Sequence, residues 1–208
     1  MKVAVLISGR GSNLQALIDA QIKTGAEIVL VISSVEGAQG LERAAKAGIP
    51  TIVINHKDFD GRQPFDAAMT DAIEAGGADF VCLAGFMRIL SDDFIAHWRN
   101  RLINIHPSLL PAYKGLNVQQ RVLDAGEAQA GCTVHFVRPE MDTGPIIAQA
   151  KVPVMADDDA GSLAERILEQ EHVIYPEALR LIAEGRVRIE NERVLIDGAA
   201  TDAPDNFA

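Results

Sequence analysis

Runs of consecutive apolar residues alternate with stretches whose apolar positions return every three or four residues through the first half of the chain. "KVAVLIS", "EIVLVIS", "TIVIN", "ADFVCLAGF" and "RLINI" read as strands, apolar enough to be covered on both faces. Between them "SNLQALIDAQIKTG", "GLERAAKAG", "PFDAAMTDAIEAGG" and "SDDFIAHWRN" read as helices, with Gly25 after the first and Gly76 and Gly77 closing the third. This alternation predicts an α/β fold, a Rossmann-like, mostly parallel sheet with helices on both faces. After Pro107 the rhythm changes. "CTVHFV" and "PIIAQAKVPV" predict antiparallel strands on either side of the turn-rich "RPEMDTG". A long helix is expected from Ser162, with Ser162 and Glu165 as a capping box. "RVRIENERVLID" reads as a peripheral hairpin and "GAATDAPDNFA" as a loose tail. With no internal repeat and no Pro-, Gly- or Ser-rich linker, a single domain is expected over 1–208. Its first half, 1–106, is nucleotide-binding-like; 107–208 carries a loop, the long helix and the hairpin.

The composition narrows the setting. A chain of 208 residues, 48% of them hydrophobic, can bury one sizeable core and is not disordered. Its formal net charge of -10 argues against nucleic acid, whose phosphates need clustered Lys and Arg. An anionic small molecule is compatible only if a local pocket overcomes that field. Cys82 and Cys132 are far apart and neither belongs to a CxxC, so neither a disulfide framework nor a metal site is expected. The first apolar run is too short for a signal peptide, and no run is long enough to cross a bilayer. A reducing cytoplasm is the expected setting. Monomer and homodimer are both compatible with the sequence.

Two places carry candidate chemistry. "ISGRGSNLQ" joins the first strand to the first helix, and Gly9 and Gly11 permit a tight turn. The helix start offers outward N–H groups and the positive end of a dipole, which favour an anion. It is neither a dinucleotide fingerprint, since Leu14 holds the third glycine position, nor a P-loop. Ser12 and Gln15 as a plain capping box is the competing reading, and both stand at this point. The second place is "LINIHPSLLP". Strand alternation puts Leu102, Asn104 and His106 on one face, and Pro107 biases His106 toward extended backbone. Ligands of open parallel sheets bind beyond the carboxyl ends of the strands, where His106 would stand. An amide and an imidazole there suit an oxygen that becomes negative during acyl transfer, or are a buried polar pair satisfied by backbone. "RPEMDTGP" offers Glu140 and Asp142 as carboxylate partners, with Gly144 permitting backbone contortion. Asp142 reads equally as a turn former.

"ISGRGSNLQ", "LAGFMRILS", "NIHPSLLP", "YKGLN", "GCTVHFV", "MDTGPII" and "EHVIYP" occur in the order of the folate-dependent formyltransferases, which the chain resembles from about Met1 to Pro176 and more weakly through the hairpin. The resemblance is narrowest to the members that formylate glycinamide ribonucleotide in purine biosynthesis. It implies 10-formyltetrahydrofolate as co-substrate, no metal, and direct transfer of the formyl group to an amine. It implies that Asn104 and His106 contact the formyl group and that Asp142 is the carboxylate favouring the charged imidazole. The backbone at Gly11, Ser12 and Asn13 would bind the ribonucleotide phosphate and Glu171 the ribose. Arg62, Met87, Arg88, Ile89, Leu90, Asn104 and Glu140 would meet the folate. His135 would support the site without acting on substrate. Asn117 and Gln119 stand where many members carry histidines and take no role; Leu168 replaces a polar residue, which shifts phosphate binding toward the glycine loop.

Three rivals are set against this. Formyl transfer to initiator methionyl-tRNA is carried by relatives with an added RNA-contacting domain, for which this chain is too short and too acidic. Deformylases of 10-formyltetrahydrofolate carry an N-terminal regulatory module, not expected where the sheet begins at Lys2. A non-catalytic nucleotide-binding module has no use for Asn104, His106 and Asp142 together.

Overall fold

The structure, a computed structural model, describes residues 1–200. The part of the expected tail at 201–208 lies outside the described residues. The chain has the Rossmann-like α/β architecture expected, and divides into two compact units, Met1–Asn104 and Ile105–Ala208.

In the first unit β1 (Lys2–Ile7), α1 (Ser12–Thr24), β2 (Glu27–Ser33), α2 (Gln39–Lys46), β3 (Thr51–Val53), α3 (Arg62–Ala75), β4 (Phe80–Leu83) and α4 (Asp92–His97) follow one another, and β5 (Leu102–His106) begins. The strands lie in the order β3-β2-β1-β4-β5, every pairing parallel. Val3 to Ile7 are wholly buried, which is why a run without alternation forms the central strand. At the edge, β3 keeps Ile52 and Val53 exposed. "ADFVCLAGF" forms a strand only to Leu83, and Gly85 then turns the chain away at φ 72. Register sets Leu6 beside Leu83 and Leu83 beside Asn104, so Asn104 stands at the carboxyl edge of this sheet. The connection order reverses between β1 and β4, which makes the segments leaving those two strands the topological switch point.

The second unit holds α5 (Val118–Asp124), β6 (Gln129–Phe136), β7 (Ile146–Pro153), α6 (Ala160–Ala183), β8 (Val187–Glu190), β9 (Arg193–Ile196) and β10 (Ala199–Ala200). β6 and β7 pair antiparallel, as expected, and α6 packs on both. Helix α6 begins two residues before Ser162: Asp159 is the cap, accepting from Ser162 N while Ser162 Oγ accepts from Asp159 N. A carboxylate at the cap position outcompetes the serine, which becomes the third residue of the same box. The hairpin β8–β9 forms, and Ala199 and Ala200 add a third strand where a tail was expected.

Gly131 lies where β6 and β7 press together, and a Cβ there would meet Ala150 O at 2.0 Å. Gly131→Ala is expected to cost about 1–3 kcal/mol through overpacking. Urea unfolding checks this; an unchanged midpoint would contradict the close approach.

Candidate functional site

In the first unit, the glycine loop is shaped by close packing. Gly11 takes φ 71, and a Cβ on it would meet Gly40 Cα at 2.5 Å. Gly40 N–H donates to Gly9 O and Arg43 Nε–H to Arg10 O, so the start of α2 braces the loop. No side chain caps α1. The competing Ser12–Gln15 box does not form: Gln15 donates to Asp19 Oδ1 and accepts from Arg43. The cap position falls on Gly11, which has no side chain to accept a hydrogen bond, and Ser12 is already the first helical residue. The N-terminal end of α1 keeps its dipole with no side chain spent on it, the arrangement suited to an anion at Gly11, Ser12 and Asn13.

Beyond β4 runs the segment Met87, Arg88, Ile89 and Leu90. Met87 and Ile89 are exposed while Leu90 is buried. Met87 N–H donates to Ser8 Oγ at 2.9 Å, and Ser8 Oγ shares a 2.7 Å hydrogen bond with Ser34. The strip is thereby tied to the strand end that carries the glycine loop. Arg62, expected in a loop, is the exposed first residue of α3. One turn later Asp66, which sequence reasoning passed over, is buried and accepts from Ser91 N.

The second unit brings His106, Asp142 and His135 together. Asp142 lies between the two imidazoles, its Oδ2 3.6 Å from His106 Nδ1 and its Oδ1 3.8 Å from His135 Nε2. These are charge-contact distances rather than hydrogen bonds. Asp142 Oδ2 does accept one hydrogen bond, from Gly115 N at 2.9 Å. The backbone at Asp142 is left-handed, φ 54, a conformation Asp tolerates better than most residues. Gly144 is required for a different reason than turn flexibility. A Cβ there would meet Phe136 O at 1.6 Å, so the turn after Asp142 passes directly against the end of β6.

The protons of this cluster follow from its acceptors. His106 Nε2 lies 3.1 Å from Tyr113 O, and a carbonyl only accepts, so Nε2 carries hydrogen. By the same reasoning His135 Nδ1 donates to Phe136 O at 2.9 Å. Burial pushes His135 down to about 4, against the pull of the Phe136 carbonyl and the Asp142 charge. His135 is therefore neutral near pH 7, and His106 is the other imidazole that faces Asp142. Tyr113 and Asn117 take φ 54 and Gly115 φ 80, so "YKGLN" is a contorted loop tethered by both His106 and Asp142. Nothing in its residue types announced those tethers, which are backbone groups.

Glu171 lies in the buried stripe of α6 with Leu163, Ile167 and Ile174, not on an exposed helix face. Its charge adds to burial in pushing the Cys132 thiol up. Glu140 is exposed, with Lys114 Nζ 3.9 Å from its carboxylate, and its carbonyl accepts from Thr143 Oγ1. Asn104, half-buried, precedes His106 by two residues on β5, so alternation keeps the two side chains on one face of the strand.

A family model described as "Formyl transferase" matches residues 1–179. The chain belongs to the formyl transferase family. It is 46% identical over 200 residues to phosphoribosylglycinamide formyltransferase of Escherichia coli, covering 95% of this chain and 94% of that one. It is 54% identical over 195 residues to the trifunctional purine biosynthetic protein adenosine-3 of Drosophila melanogaster, covering 92% of this chain but spanning only 14% of that relative's length. Among solved structures, glycinamide ribonucleotide transformylase 1 from Symbiobacterium toebii superposes with a TM-score of 0.92 at 47% identity, covering 94% of this chain and 93% of that one. A formyltetrahydrofolate deformylase from Pseudomonas syringae shares the family fold at 25% identity and a TM-score of 0.87, covering 94% of this chain and 65% of its own.

The neutral His135 gives a test of the cluster's electrostatics. Its folded value of about 4 lies below the ordinary histidine value of 6.5. Between the two the unfolded chain binds more protons, so this residue's contribution is complete above the ordinary value and is lost as pH falls toward about 4. His135→Gln is expected to flatten the acid side of the stability–pH curve. An NMR titration in which His135 protonates with an ordinary midpoint would contradict the assignment.

Proposed function

We propose that the chain transfers the formyl group of 10-formyltetrahydrofolate to the amine of 5'-phosphoribosylglycinamide, a step of purine biosynthesis, giving formylglycinamide ribonucleotide and tetrahydrofolate. The observation that carries this is His106 at a strand end facing a half-buried Asp142, in a chain of the formyl transferase family. The neutral amine attacks the formyl carbon, a C–N bond forms, and the carbonyl oxygen becomes an oxyanion. Asn104 and His106 stabilise that oxygen, each such donor being worth about 10²–10³ in rate. In this reading the oxyanion takes the Nε2 hydrogen that Tyr113 O accepts in the structure, while Nδ1 stays turned to Asp142. Collapse breaks the bond to the folate nitrogen. The attacking nitrogen loses one proton and the folate nitrogen gains one; a water at Asp142, with His106 as acid, suits that exchange, worth about 10²–10⁴.

The substrates are assigned to named groups. Gly11, Ser12 and Asn13 take the ribonucleotide phosphate on backbone N–H groups, which suits an acidic chain because the dipole supplies the positive field locally. Glu171 takes the ribose hydroxyls. Met87 to Leu90, Arg62 and Glu140 are assigned to the folate, with Asn104 shared between folate and formyl oxygen. The reading needs no metal, no nucleic acid and no membrane, and fits a cytoplasmic enzyme; among the described residues no helix is long and apolar enough to cross a membrane.

Absorbance of the deformylated folate tests the reaction. Signal is expected only when folate and glycinamide ribonucleotide are both present; signal without the amine would make the chain a deformylase, and silence in both would remove the enzyme reading. His106→Ala is expected to lower kcat by about 10²–10³ with folate binding retained. Near-normal turnover in that variant would take His106 out of the mechanism.

A further inference from the structure

Met87 to Leu90 run between β4 and α4 with no regular secondary structure, and Met87 and Ile89 are 69% and 59% exposed. Such a segment keeps one shape only where something tethers it. Its first residue is held by Ser8 Oγ. Just past its last, Ser91 N–H donates to Asp66 Oδ2 at 2.5 Å, and Ser91 Oγ in turn caps α4 by accepting from Phe94 N.

Asp66 is an unusual residue for that place. It is 2% exposed, on the face of α3 that also buries Phe65, Met69 and Ile73, where an apolar side chain would pack. Its second oxygen, Oδ1, is buried and accepts no hydrogen bond among the described residues. Burial pushes its carboxyl above the ordinary range, against the Ser91 hydroxyl and amide and the Arg62 charge. A half-satisfied buried carboxylate is costly, so its presence calls for a compensating role. Arg62, one helical turn earlier, lies on the same side of α3.

We propose that Asp66 is a positioning residue for the folate strip: from inside α3 it fixes the end of Met87–Leu90 and locks that strip to the helix turn bearing Arg62. This rests on the strip being the folate contact. The competing role is ordinary packing of α3 on α4, which would alter stability and leave the kinetic constants unchanged or shift them together.

Steady-state kinetics with each substrate varied in turn separates them. Asp66→Ala should raise the folate KM roughly tenfold, with kcat and ribonucleotide KM within about twofold, as loss of positioning for one substrate requires. Asp66→Asn, which keeps an acceptor oxygen for Ser91 N–H, should restore most of the folate KM and also serves if the alanine variant does not fold. Asp66→Asn with the full folate defect, or Asp66→Ala with unchanged or uniformly shifted constants, overturns the proposal. Ile89→Asp, on the exposed strip, is the control. If it raises folate KM while Asp66→Ala is silent, only the positioning role fails. If Ile89→Asp itself is silent, the folate assignment fails and the proposal falls with it.

Discussion

A carboxylate set beside an imidazole has to be partly desolvated and held in place, and half-buried Asp142 shows how the chain meets the two demands together. Its left-handed backbone and the close pass of Gly144 against Phe136 O set the position. One hydrogen bond from Gly115 N stabilises the charge without neutralising it. Two histidines flank it; burial keeps His135 neutral, and His106 Nδ1 is the ring nitrogen that faces Asp142 Oδ2. Removing the Gly115 hydrogen bond or admitting a charge on His135 would spread the attraction of Asp142 and weaken the hold on His106.

The proposed reaction sets the first unit a different physical problem, how an anion could be bound in a chain of net charge -10. In that reading the positive end of α1 supplies the local field, with Arg43 braced beside it on Arg10 O. The parallel sheet reverses its order between β1 and β4, and both segments leaving those strands carry candidate binding groups. Gly11 against Gly40 brings backbone close to the open end of α1, while Ser8 ties that loop to Met87. The dipole of a helix is a local field that overall charge does not cancel at short range, because it falls off within about one turn.

Much of this was legible in the sequence, for identifiable reasons. The parallel strands announced themselves because a strand buried on both faces is continuously apolar. Asn104 and His106 could be placed on one face because alternation has a fixed period and Pro107 restricts its neighbour. Asp142 could not: by composition "DTGP" is a turn, and only the resemblance to the formyltransferases pointed to its role, which the structure supports by proximity to His106. One cap assignment failed where a neighbour did the job better, Asp159 ahead of Ser162, and the competing Ser12 cap does not form because the cap position falls on Gly11. The tethers from Tyr113 O and Gly115 N were invisible because every residue has those groups. Asp66 has one signal in the sequence, an acidic residue beside Phe65 and three before Met69 on a helix face otherwise apolar.

In the proposed mechanism Asp142 acts through His106 rather than beside it. A double-mutant cycle on kcat/KM with His106→Ala, Asp142→Ala and the double variant addresses that coupling directly. Each single change should lower kcat/KM, and the double should lose no more than His106→Ala alone, within about threefold, as groups acting as a unit do. Losses that multiply in the double variant would show two independent contributions and contradict the account.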